Sequence, residues 1–187
     1  MHLEGPWAKP TIEGDRVQLR PIVAADAEAM WEMVNDPESN DLTQTPPGSF
    51  TLERIAEWCT GRADADERLD LAIIERATGQ WAGEVVLNEF SAGDLTANFR
   101  IALRGPAWFG RGLGGEATRL IVAHGLGPVG LRRITLTVLA RNQRAIRAYE
   151  RAGFHRHADY SEDGEQWVAM EITRPAEGSS AATAHSL

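Results

Sequence analysis

A single cysteine, Cys59, in 187 residues leaves no internal disulfide and no thiolate-rich metal site. Disulfide-stapled secreted scaffolds are thereby excluded, and Cys59 is expected in the core of a protein from a reducing cytosol. No apolar run approaches the about 18 residues of a membrane span, and Met1 to Trp7 lack the basic-then-apolar order of a signal peptide. A soluble, cytoplasmic protein with no membrane partner is the expectation. His155 and His157 form an H-x-H pair that no further Cys, His or paired carboxylate completes, so no metal is expected. There is also no Ser-His-Asp order and no nucleophile elbow, which argues against a covalent acyl-enzyme.

Lysine is absent from Arg100 to Arg156, yet that stretch holds eleven arginines against two acids, Glu116 and Glu150, a formal +9. The remainder has 8 basic and 25 acidic residues, so the overall −8 hides a basic block. Such a field attracts a ligand with several phosphates. Nucleic acid is not expected, because the block has few aromatics and the acidic remainder would repel a long polyanion.

Within the block, residues 108–116 read W-F-G-R-G-L-G-G-E. Glycines let the backbone approach an anion, and the helix that follows offers unpaired N–H groups and its dipole. A P-loop would need Lys and Ser/Thr after its last glycine, whereas Gly115 is followed by Glu116 and Ala117. Gly110, Gly112 and Gly115 spell G-x-G-x-x-G, but Pro106 to Phe109 is a poor strand and the later strand ends in Leu139-Ala140-Arg141 without a carboxylate. A dinucleotide fingerprint is therefore not met.

Periodicity predicts strands and helices in alternation along one domain. Strands are expected at 16–20, 69–74, 81–90, 96–103, 133–139, 155–160 and 166–173. Helices are expected at 24–34, 52–60 with Leu52, Ile55 and Cys59 on one face, 115–125 with Ala117, Leu120, Ile121 and His124 inward, and 142–152. The Pro46-Pro47-Gly48 break separates the first two helices. Residues 1–15 are read as an N-terminal extension, 16–174 as the domain, and 175–187, small and polar, as a flexible tail.

This α+β order, a mixed, mainly antiparallel sheet with flanking helices and a strand feeding a glycine loop, resembles the GNAT acyl-CoA N-acyltransferase fold. Gly112 and Gly114 match the small positions of the family's Q/R-x-x-G-x-G/A, with Phe109 in place of Gln or Arg. An aromatic there is similar to the branch of ribosomal-protein alanine acetyltransferases (RimJ/RimL-like). Residues 141–154, R-N-Q-R-A-I-R-A-Y-E-R-A-G-F, resemble the family's N-x-x-[SA]-x-x-x-Y-x-x-x-G-F.

The resemblance implies acetyl-CoA as co-substrate and direct transfer of acetyl to an amine. Ile101, Ala102 and Leu103 would pair with the pantetheine arm. Phe109, Gly110, Arg111, Gly112, Leu113, Gly114, Gly115 and Arg144 would bind the cofactor, the loop amides of Gly110 to Gly115 holding the pyrophosphate with Arg111 adding charge, and Asn142 would hydrogen-bond the cofactor arm. Tyr149 would protonate the leaving thiolate. Many members carry a glutamate on the strand before the loop, but Ala97, Asn98 and Phe99 stand there in this chain. Glu84 and Glu89 on the neighbouring strand are the candidate bases, with solvated surface charge as their alternative role. Asn98 is a candidate for orienting water or acceptor, and Trp31 for lining the acceptor cleft, although core filling is the commoner role for tryptophan. The acceptor is read as a protein N-terminal α-amine. A small amine such as an antibiotic, polyamine or amino-acid derivative, or a non-catalytic acyl-CoA sensor, are the alternatives. A monomer or homodimer is expected.

Overall fold

The computed structural model describes residues 8–46, 48–65 and 67–175. The expectations for 1–7, Pro47 and the tail from Ala176 lie outside the described residues. Alternating side chains give Val17–Pro21 (β2) two buried residues, Val17 and Leu19, and a short strand Ile12–Glu13 (β1) pairs antiparallel with it. A 3₁₀ turn at Ala24–Asp26 then leads into Ala27–Val34 (α1). The turn is pinned by Asp26, whose buried carboxylate accepts from the Val23 amide at 2.9 Å and takes both Arg20 Nη groups at 2.7 and 2.8 Å.

Two further helices follow, Pro37–Thr43 (α2) and Leu52–Gly61 (α3). Periodicity misses α2 because P-E-S-N-D-L-T holds one apolar residue. Its signals are a cap and a proline: Asp36 accepts from the Ser39 amide at 2.8 Å and Pro37 occupies the first turn. In α3, Ile55 and Cys59 are buried as expected, whereas Leu52 in the first turn is 38% exposed. Burial pushes the Cys59 thiol up to about 11, so it stays protonated in the core.

The sheet continues with Leu69–Glu75 (β3), Trp81–Ser91 (β4) and Thr96–Leu103 (β5). The chain then runs through Leu113–Leu126 (α4), Arg133–Leu139 (β6), Gln143–Arg151 (α5), His155–Glu162 (β7) and Glu165–Thr173 (β8). Among the described residues eight strands lie in the order β1-β2-β3-β4-β5-β6-β8-β7, antiparallel except at β5–β6, which gives the α+β architecture expected from the sequence. One apolar face packs Ile121, Val122 and Ala117 of α4 and Ile146 of α5 onto Leu71, Val85, Leu87 and Ile134. The other packs Met30 and Met33 of α1 and Ile55 and Cys59 of α3 onto Ala72, Ile74 and Trp81. Each wholly buried Leu or Ile contributes about 1.5–3 kcal/mol. No helix among the described residues is long and apolar enough to cross a membrane.

One irregularity sets up the site. β5 and β6 pair only at Thr96↔Arg133, Ala97↔Ile134 and Asn98↔Thr135. Beyond that point β5 stays with β4 as far as Gly83↔Leu103, and β6 stays with β8 as far as Leu139↔Trp167. The two parallel strands therefore part, and residues 99–103 have a free edge.

Candidate active site

Beyond the free edge of β5 the chain turns through Gly105, with φ +96°, into a 3₁₀ turn at Pro106–Trp108 and then the glycine run. Gly110 and Gly112 have φ of +71° and +81°, a region that costs an L side chain about 1–2 kcal/mol. Gly112 is the N-cap of α4 and supplies no side-chain acceptor, so the first-turn amides of the helix are open to a ligand. The loop is braced from behind. Arg16 Nη1 donates to the Arg111 carbonyl at 3.1 Å, and the Arg16 amide donates to both oxygens of buried Glu116 at 3.1 and 3.2 Å. Arg111 forms an ion pair with Glu75 and lies over the Trp108 ring at 5.0 Å. An open cleft of about 560 Å³ lies behind this brace, lined by Asp15, Arg16, Glu75, Arg76 and Arg111, and not at the gap between β5 and β6. In front, the Arg144 guanidinium sits 3.8 Å over the Phe109 ring. Phe109 thus carries a cation where a charged or amide side chain would otherwise stand.

Gly114 brings α4 against the free-edge strand: a Cβ there would lie 3.4 Å from Leu103 Cδ1 and 3.7 Å from Ile101 Cδ1. Asn142 caps α5, its Oδ1 accepting from the Ala145 amide at 3.2 Å, which leaves its N–H donors for another partner. From α5 the Tyr149 ring meets Phe99 edge-on at 5.8 Å and Phe154 at 6.1 Å. Burial pushes the Tyr149 hydroxyl up to about 12, above the unperturbed phenol, so it holds its proton at every working pH.

Glu84 stands opposite Ala102 in the β4–β5 register and shares a sheet face with Ala72 and Ala102, on the α1–α3 side. It is not a solvated strand-edge charge. Its Oε2 is shielded and has no hydrogen-bond partner. Burial first, then the charge of Asp70, pushes its carboxyl up to about 7 against the opposing pull of Arg100, Arg68 and Arg62. Glu84 and Tyr149 therefore approach the divergence from opposite faces of the sheet. Asn98 is the last residue of β5 paired with β6, and its Nδ2 donates to Asn88 Oδ1 at 3.1 Å.

Glu89 is not gathered there. It is exposed, with φ +53°, in the irregular segment between Asn88 and Ser91. Five residues of strand separate it from Glu84, about 16 Å. Trp31 is 38% exposed on α1. The basic block is less free than its count suggests: Arg144 pairs with Glu38 at 3.2 Å, Arg141 with Asp41 at 3.0 Å and Arg104 with Glu32 at 2.6 Å. Sequence reasoning missed these acids of α1 and α2 and the Arg16 brace, because partners 72 to 106 residues apart leave no local signal. Among the described residues no cluster of three or more His, Cys, Asp and Glu is placed to hold a metal ion.

A mixed sheet whose parallel pair diverges ahead of a glycine loop and helix defines an acyl-CoA N-acyltransferase architecture. The family model described as acetyltransferase (GNAT) domain matches residues 16–155, and this chain belongs to that family. It is 28% identical over 154 residues to a Bacillus subtilis protein named "Probable N-acetyltransferase YjcK", covering 78% of this chain and 83% of that one. A spermidine N-acetyltransferase from Vibrio cholerae, solved with CoA and spermine, superposes with a TM-score of 0.78 at 17% identity, covering 86% of this chain and 97% of that one. A GNAT-family acetyltransferase from Bacillus anthracis gives a TM-score of 0.77 at 19% identity, with 88% and 99% covered. These structural likenesses carry the fold.

Proposed function

We propose that this chain is an acetyl-CoA-dependent N-acetyltransferase that delivers the acetyl group directly to a primary α-amine, as at a protein N-terminus. The observation that carries the reading is Glu84, a shielded carboxyl near neutrality on one face of the sheet, with the Tyr149 hydroxyl on the other. An α-ammonium with pKa about 7.7–8.0 is well matched to a base near 7. Glu84 then accepts the proton of the incoming amine, directly or through a water held near Asn98.

The chain's residues suit acetyl-CoA in three respects. The free edge at Ile101, Ala102 and Leu103 offers backbone partners to an extended amide-bearing arm. The open amides from Gly110 to Gly115, with Arg144 over Phe109 in front, suit a pyrophosphate, whereas Arg111 is held behind the loop by Glu75. Asn142 has donors left for the arm, and Tyr149 can give a proton to a departing sulfur. The thioester supplies an activated acetyl group, which makes a covalent acyl-enzyme unnecessary. The aromatic at Phe109, carrying Arg144, supports the RimJ/RimL-like branch. A free, buried Cys59 suits a reducing, cytoplasmic setting.

The reading is tested by following free thiol released from acetyl-CoA with peptides bearing free N-termini and with small amines. Thiol release with matching N-acetylated product supports it. CoA binding without turnover on any amine leaves a non-catalytic acyl-CoA sensor.

A further inference from the structure

The same sheet face that carries Glu84 holds an unusual concentration of cations. Asp70 is wholly buried, and its carboxylate is gripped by Arg68, with Nε at 2.8 and 3.0 Å and Nη2 at 2.7 Å. Lys9 Nζ and Arg62 Nη1 each lie 3.9 Å from the same carboxylate, with side chains only 6% and 18% exposed. Arg62 stacks over Trp58 at 4.8 Å, and its buried Nε has no hydrogen-bond partner. Arg100 sits opposite Val86, which in turn faces Asp70, and belongs to the free edge of β5, just past the last pair with β6. Arg100 makes no ion pair among the described residues.

Arg68 and Asp70 neutralise each other. Lys9, which also donates to the Arg68 carbonyl at 3.1 Å, and Arg62 share that one carboxylate with Arg68. The other acids beside these cations and exposed Arg100 are Glu84, which burial keeps partly protonated, and Glu67, 3.8 Å from Arg62 with its side chain 71% exposed, so four cations stand against at most three acids. A half-buried guanidinium with an orphaned N–H and a surplus of positive charge is destabilising unless an anion completes it. Arg100 and Glu84 are diagonal neighbours across β4 and β5, about 7–8 Å apart. An amine at Glu84 therefore has its own neighbouring substituents beside Arg100.

We propose that the acceptor is an amine carrying a carboxylate a few bonds away, held by Arg100 and Arg62 while its amino group lies at Glu84. The inference rests on the N-acetyltransferase reading above and deepens it. The shared chemistry has two sources, a free α-amino acid and a peptide whose first residue is acidic. A polycationic acceptor is disfavoured by the same charges.

The experiment compares aspartate with asparaginamide, an Asp-initiated with an Asn-initiated peptide amide, and spermidine, in wild type and Arg100→Gln. Thiol release should favour the carboxylate-bearing member of one pair by at least about tenfold in kcat/KM, because a site built around that charge rejects the analogue lacking it. The pair showing the preference names the source. Arg100→Gln should bring the ratio to about one, chiefly through KM for the acid. Equal use of acid and amide, or a preference for spermidine, overturns the inference and leaves the acetyltransferase reading intact. Should no amine be turned over, the transferase reading fails, and thermal shift in the presence of CoA then decides the anion site. Stabilisation by aspartate and not by asparaginamide, lost in Arg100→Gln, supports it; no such difference overturns it.

Discussion

The ring of Tyr149 meets Phe99 edge-on with centroids 5.8 Å apart, so α5 is docked to the diverging strand β5 through the residue proposed to protonate the thiolate. Phenylalanine in place of Tyr149 keeps the contacts with Phe99 and Phe154 and removes only the hydroxyl. In Tyr149→Phe, turnover should fall by about 10- to 10⁴-fold with CoA affinity unchanged. Steady-state rates and calorimetric titration with CoA check this, and full activity with chemistry rate-limiting would assign the proton to another donor. Because the hydroxyl sits up near 12, no alkaline loss of activity below about pH 11 should trace to Tyr149.

Glu84 gives a pH prediction of definite sign. As its carboxyl is pushed from 4.5 up to about 7, the folded state binds more protons than the unfolded chain between those values. Stability therefore declines as pH rises through that window and levels off above it, by up to about 3 kcal/mol at 1.36 kcal/mol per pKa unit. Glu84→Gln should melt higher than wild type at pH 8 and close to it at pH 4. Its kcat/KM should fall most where the amine is protonated and recover as pH passes the amine's own pKa. Wild-type pH–rate profiles in Glu84→Gln would make it a structural carboxyl, and an equal loss at every pH would make it an orienting group.

Gly112 tests the loop. It has φ +81°, and a Cβ there would lie 3.2 Å from Arg16 Nη1, the group that bonds the Arg111 carbonyl. Gly112→Val should strain the turn and displace the brace. Wild type at a hundredfold excess of CoA over Kd should gain about 2.7 kcal/mol, some 5–10 °C of thermal stabilisation. Gly112→Val should lose that gain while far-UV circular dichroism stays native. Arg16→Ala, which removes one hydrogen bond behind the loop, should weaken CoA by about 3- to 10-fold. Undiminished stabilisation of folded Gly112→Val would separate the loop from CoA.

Periodicity located β2 to β8 and the longer helices, mostly because they bury an apolar stripe on one face of the sheet, although β7 is exposed throughout; it missed the two-residue β1, which lies in the stretch read as an N-terminal extension. It passed over α2, whose single apolar residue gives no period and which is held at its cap and by Glu38 and Asp41. The glycine loop was readable because its conformation depends on residue type at fixed spacing. The acceptor side was not. Glu84 differs from Glu89 in what surrounds it, and that depends on burial against the α1–α3 face and on Asp70 and Arg68 at the start of β3 and Arg62 after α3, which come from elsewhere in the sequence. Nothing near residue 84 in the sequence announces a shielded carboxyl. Likewise, eleven arginines scattered between residues 100 and 156 predicted a basic field, whereas α1 and α2 bring acids from the other half to three of them.

The pair between Arg144 and Glu38 makes the last prediction. Its side chains are 46% and 45% exposed and 3.2 Å apart, while the same guanidinium lies over Phe109 at the mouth of the glycine loop. An exposed pair of this kind contributes about 0–1 kcal/mol, whereas a charged donor bonded to phosphate is worth about 1.5–3. A phosphate at the loop should therefore draw Arg144 away from Glu38. In Glu38→Gln that competition disappears, so CoA should bind up to about fivefold tighter at low salt, with the apo melting temperature nearly unchanged. The advantage should shrink as salt screens the pair in wild type. Arg144→Met should show the opposite, weaker CoA binding with a shallower salt dependence. Unchanged affinity in both variants, measured by titration at two ionic strengths, would remove Arg144 from the phosphate site and leave it as a tie between α2 and α5.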